Sequence, residues 1–130
     1  MRRLILCIML FTISCTANQP PGRSRIVSLE SGKDIRVYSI TRFTFLDESR
    51  PPSLVLRYET ELEPKDSPEL RAEVLEVWEI LKPLADSAHD TYAMVAANEP
   101  IRGIISRTKS FTYEFIRSYD GLWEMSDPTE

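Results

Sequence analysis

Cysteine is all but missing from this chain: Cys7 and Cys15 both fall within the first fifteen residues, and residues 16–130 contain none. A disulfide framework, the usual support of a small exported domain, is therefore excluded for that stretch. A structural zinc site is excluded with it, because the same stretch offers one histidine, His89, and no thiolate. There is no internal repeat and no long low-complexity tract. The most apolar run, residues 4–11, is too short to cross a bilayer as a stable helix. Basic residues are scattered and outnumbered, 16 against 20 acidic, for a net charge of -4 that becomes -6 once Arg2 and Arg3 are set aside. Phosphate backbones are bound by clustered Lys and Arg, so no nucleic-acid partner is expected.

What the N-terminus does contain is ordered. Met1-Arg2-Arg3 gives a positive start, residues 4–11 are apolar, and Thr12-Ile13-Ser14-Cys15 follows, which together form the layout of a secretory signal peptide. The small Ser14 directly before Cys15 resembles the lipobox of bacterial lipoproteins, with Thr12 standing where such motifs usually carry Leu or another larger aliphatic residue. The resemblance covers only these first fifteen or so residues. It implies that residues 1–14 are a signal peptide, that the sulfur of Cys15 receives a diacylglycerol, and that the cleaved protein is held to a membrane on the exported side. Thr16 is not the Asp that often marks inner-membrane retention in Gram-negative lipoproteins, so the resemblance places the protein at the periplasmic face of the outer membrane if the source has two membranes. The alternatives are an ordinary signal peptide cut nearby, with Cys15 a bystander thiol, and an uncleaved leader kept as an N-terminal anchor.

Residues 15–24 read as the modified cysteine and a flexible tether, polar and carrying Pro20-Pro21-Gly22. Residues 25–130 then form one domain, with no length left for a second. Composition supports folding, at 42% hydrophobic and 28% charged. A short strand is possible over residues 26–29, followed by a turn at Ser31-Gly32-Lys33-Asp34. Residues 35–46 read as a strand whose alternation slips phase between Val37 and Ile40, as a bulge near Ser39 would cause. Leu54, Leu56, Tyr58, Thr60 and Leu62 alternate with Val55, Arg57, Glu59 and Glu61 and predict a strand with one face buried and one solvated. Ser67 and Pro68 then supply a helix N-cap and first-turn proline. Leu70, Val74, Val77, Trp78, Leu81, Leu84 and Ala85 make one apolar face, with Trp78 at its centre, and Pro83 brings the helix near its end. Residues 91–97 suit either a helical extension or a short buried strand, and strand is favoured. Residues 111–119 form an aromatic strand, and Asp120-Gly121 turns it back into a brief edge strand over residues 122–125. The expected fold is α+β, a small two-layer sandwich of one helix on a mostly antiparallel sheet of about four strands, with a right-handed crossover if the strands flanking the helix run parallel.

Chemical constellations are sparse. Asp86, Ser87, His89 and Asp90 invite a triad, but triads are assembled from distant parts of a chain, and a solvated loop after the helix is the simpler reading. Glu69, Glu73, Glu76 and Glu79 lie on a helix that also carries Arg71 and Lys82, which describes a mixed-charge solvent face rather than the oxygen cage that calcium takes. Gly32-Lys33 lacks the upstream glycine, the hydroxyl residue and the helix of a phosphate loop. Phe43, Phe45, Tyr58, Trp78, Phe111, Tyr113 and Phe115 are assigned to the core. Tyr119 and Trp123 are the better candidates for an exposed surface. No catalytic, cofactor-binding or metal-binding residue is singled out, no cofactor is expected, and the one modified site is Cys15.

Two function classes follow. One is a noncatalytic binding or structural module anchored in the cell envelope, whose partners are the membrane, through its lipid, and another envelope protein. The other is an envelope hydrolase using a pair of carboxylates that the sequence does not single out.

Overall fold

The computed structural model describes residues 24–46, 51–62, 67–100 and 109–126, so the leader, Cys15 and the tether up to residue 23 lie outside the described residues. In chain order the elements are β1 (Arg25–Ser28), β2 (Asp34–Phe43), β3 (Ser53–Glu59), α1 (Pro68–Ser87), β4 (Tyr92–Asn98), β5 (Ser110–Arg117) and β6 (Trp123–Met125). The strands form one sheet in the order β1-β2-β3-β4-β5-β6. Every neighbouring pair is antiparallel except β3 and β4, which are parallel and joined by α1.

The α+β architecture with one helix on a mostly antiparallel sheet is as expected, but the sheet has six strands where about four were expected. The two beyond that count are the edges, β1 and β6, which fall where short strands were read at residues 26–29 and 122–125 and span only 4 and 3 residues. Their pairing is set by their turns: Gly32 and Gly121 adopt φ of 89° and 90°, a region that glycine enters without the Cβ penalty. Each then folds its short strand back onto a long one.

Alternation on the longer strands builds the core. Leu56 and Tyr58 of β3, Ala93, Val95 and Ala97 of β4, and Phe111, Tyr113 and Phe115 of β5 join the helix side chains in one buried cluster. Ala93 and Ala97 of β4 lie where α1 packs most closely, and their small side chains let the helix backbone approach. From α1, Leu70, Val74, Val77 and Leu81 are fully buried, each contributing roughly 1.5–3 kcal/mol by leaving water. Trp78 fills the space toward β5, its ring stacked on Phe115 at 4.0 Å.

Both helix ends are closed as the sequence suggests at one and conceals at the other. Ser67 Oγ accepts the backbone N–H of Leu70 at 3.2 Å. At the C-terminus the N–H groups of His89 and Asp90 donate to the carbonyls of Asp86 and Ala85, the paired bonds of a Schellman motif, with His89 in the left-handed position at φ 55°. The helix ends at Ser87, one turn after Pro83.

The slip in β2 is real: register with β3 shifts between Val37 and Ser39. Ile35 and Val37 face the core before it, and Ile40, opposite Leu56, packs on the core after it. The shift therefore puts Arg42, not Phe43, on the helix side. Phe43 is exposed, contrary to its assignment to the core.

Candidate functional site

Polar side chains that the sequence placed in solvent or in doubtful constellations prove to be structural ties. Glu73 is buried at 5% exposure. One carboxylate oxygen accepts from Lys33 Nζ of the β1–β2 turn, and Glu76 accepts the backbone N–H of Ser31 in the same turn at 3.1 Å. Together they clip that turn to α1. Tyr58 Oη lies beside Glu73, yet neither it nor Glu73 Oε1 completes a hydrogen bond. Burial, and then the facing carboxylate of Glu73, push the Tyr58 phenol far above its ordinary range. Glu69 accepts from Ser67 Oγ at 2.7 Å and is held below the usual carboxylate range by that bond. Glu69, Glu73 and Glu76 thus serve different ends. Among the described residues no three His, Cys, Asp or Glu side chains gather where a metal ion would sit.

Asp86, Ser87, His89 and Asp90 do not converge. Asp86 accepts Trp123 Nε1–H at 2.9 Å and lies 3.7 Å from Arg117. Asp90 is buried and receives a bidentate pair from Arg42 at 2.6 and 2.9 Å. His89 is exposed and serves the helix cap by its backbone. Of the two aromatic residues expected at an exposed surface, Tyr119 stands fully exposed in the β5–β6 turn. Trp123 is half-buried instead, edge-on to Trp78 at 5.0 Å and tied to Asp86. Lys33, of the rejected phosphate-loop pair, is committed to Glu73.

A half-open cavity of 360 Å³ lies at the end of β1, β2 and β3, lined by Ile26, Lys33, Asp34, Arg36, Glu59 and Glu61 among others. Its charges are mixed, and several are already engaged: Asp34 accepts from Ser28 Oγ, and Glu59 accepts from the Tyr38 hydroxyl. Desolvation, reinforced by Glu59, pushes the Tyr38 phenol up to about 12.

The larger feature is the face of the sheet turned away from α1. No described element lies over it. Register places Val55 beside Met94, and Arg57, Ala96 and Thr112 in the next row. Val55, Ala96 and Tyr92 are buried among their neighbours, while Phe43 and Ile116 are exposed at one end of this face. The Arg57 guanidinium lies 5.9 Å from the centre of the Phe43 ring. The accessible part of this face is therefore Phe43, Ile116 and the charged side chains around them, with Val55, Tyr92 and Ala96 already covered.

Sequence reasoning placed Glu73 on a solvent face and did not single out Arg42, the partner of buried Asp90. The signals were present: Glu73 stands three residues after Leu70 and four before Val77, inside the apolar stripe, and Arg42 moves to the helix side once the bulge is counted. Comparison with family models, with curated proteins and with solved structures finds no match to this chain.

Proposed function

We propose that this chain is a small envelope lipoprotein, lipid-anchored through Cys15, whose α+β domain is a noncatalytic binding module that presents the second face of its sheet to another envelope protein. The anchoring part of the reading rests on Thr12-Ile13-Ser14-Cys15 behind a basic and apolar leader. The binding part rests on one observation: no described element lies across the second face of the sheet, where Phe43 and Ile116 are exposed and Arg57 lies over the Phe43 ring, while Val55, Tyr92 and Ala96 are buried among their neighbours. Binding fits this geometry better than hydrolysis, because Asp34 and Glu59 of the described cavity are engaged in hydrogen bonds to Ser28 and Tyr38 rather than facing each other as an acid and base.

A photoreactive residue at Met94, introduced in intact cells, tests the binding reading. One discrete adduct with an envelope protein is expected, reduced severalfold by Arg57→Glu at the rim with no change in melting temperature. Adducts no more abundant than those from a photoreactive residue at Glu30, in the β1–β2 turn, contradict it.

A further inference from the structure

Eight large hydrophobic side chains are exposed among the described residues, and six of them share one end of the molecule. At that end β2 and β5 finish, β3 and β4 begin and α1 closes. There stand Phe43 and Leu46 after β2, Leu84 near the end of α1, and Ile116, Tyr119 and Leu122 around the β5–β6 turn. Leu46 and Tyr119 are fully exposed, at 102% and 106%, and Leu122 is exposed at 66%. The opposite end is polar: its turns and strand ends carry Glu30, Lys33, Glu61, Glu69, Glu99 and Lys109.

We propose that the apolar end, led by Tyr119, Leu122 and Leu46, rests on the lipid surface that anchors the chain, with the β5–β6 turn lying in the headgroup region. The proposal depends on lipid anchoring at Cys15 and adds how the domain is oriented on its membrane.

The direction of β1 favours this end, although Arg25, opposite Val37, stands nearer Asp34 at the polar end than Phe43 at the apolar one. β1 is antiparallel to β2, with Arg25 opposite Val37 and Ser28 opposite Asp34. Followed back from Ser28 to Arg25, it points toward Phe43 and Leu46, so the chain from Cys15 enters the domain from the apolar side. From the level of Val37 to Phe43 is about 20 Å at strand rise. The nine residues 16–24 span at most about 30 Å, enough to reach a membrane beneath that end. Resting on the polar end instead requires the tether to double back along the sheet and leaves the exposed leucines in water.

The tip is suited to shallow contact. Tyr119 pairs an apolar ring with a hydroxyl that keeps water at headgroup level, the property that concentrates tyrosine at membrane interfaces. The turn is closed before it meets a surface, since Ser118 N–H donates to Leu122 O and Gly121 N–H to Ser118 O, each at 2.9 Å. Little ordering is left to oppose contact. Asp120 sets the depth: hydrogen bonds from Ser118 and from the Leu122 backbone hold its carboxyl below the usual range, and an ionised carboxylate stays out of hydrocarbon.

The test uses the full lipidated protein in vesicles of phosphatidylethanolamine and phosphatidylglycerol, carrying a nitroxide at Tyr119→Cys, at Leu122→Cys or at Glu30→Cys. Intact mass of the same samples reports the lipid on Cys15. Probes at 119 and 122 should collide severalfold more with oxygen, relative to a water-soluble nickel complex, than the probe at 30. A lipidated sample whose 119 and 122 probes are as open to nickel as the one at 30 overturns the orientation alone. Probes shielded from both reagents, with spin coupling between chains, show a second copy on this end and overturn it as well. A sample whose mass lacks the lipid overturns anchoring, and the orientation with it.

Discussion

The rings of Trp78 and Phe115 lie face to face, 4.0 Å apart and within 7° of parallel, joining the middle of α1 to β5. Trp123 closes the group edge-on to Trp78 at an interplanar angle of 68°. Trp78→Ala removes the shared member of both contacts and should cost about 3–5 kcal/mol, a large part of the stability of a domain this size. Urea denaturation of the domain measures it. A loss below about 1 kcal/mol contradicts the packing described.

Arg42 and Asp90 form a tie of different character. The Asp90 carboxylate is buried while Arg42 remains 41% exposed on its side chain, so solvent screening reduces what the pair itself contributes. The asymmetry lies in breaking it, because Arg42→Met leaves Asp90 buried without its cation. That variant should lose about 2–3 kcal/mol, and Arg42→Met with Asp90→Asn should recover part of the loss. A double variant less stable than the single one contradicts this account.

His89 occupies a left-handed position that glycine fills at less cost. His89→Gly should therefore stabilise the domain by about 0.5–1 kcal/mol. Thermal unfolding reads the change, and a fall in melting temperature contradicts the capping role.

Alkaline pH should destabilise the domain through its tyrosines. Both Tyr38 and Tyr58 hold their protons more tightly when folded than when unfolded. Above the ordinary tyrosine value of about 10 the unfolded chain releases protons that the folded one keeps, so stability is full below that pH and falls as pH rises toward the raised values. For Tyr38 the loss runs up to about 12. Absorbance at the phenolate band should show Tyr38 titrating late, and Glu59→Gln should bring it earlier. An unchanged titration contradicts the role of Glu59.

Much of the architecture was legible where local chemistry and tertiary demand agree. Ser67-Pro68 opens α1 as its hydroxyl and ring suggest, Leu56 and Tyr58 are buried on either side of exposed Arg57, though Val55, expected in solvent, is buried on the other face, and residues 92–97 of the stretch favoured as strand fall in β4. The rest depended on information carried by neighbours. Phe43 is exposed because a single bulge reverses the faces beyond it. Glu73 is buried because Lys33, forty residues earlier, reaches it from a turn. The second face of the sheet was illegible for the same reason: Val55, Met94 and Ala96 become neighbours only when β3 and β4 lie parallel.

The account as a whole turns on the sulfur of Cys15. Cells supplied with labelled fatty acid should incorporate the label into the wild-type protein and not into Cys15→Ser, since a serine hydroxyl forms no thioether. The label decides more cleanly than membrane fractionation, because an uncut leader would hold the variant at the membrane by its own apolar residues. Label in the wild type alone is the result the account predicts. Equal incorporation by wild type and Cys15→Ser, or none by either, contradicts it.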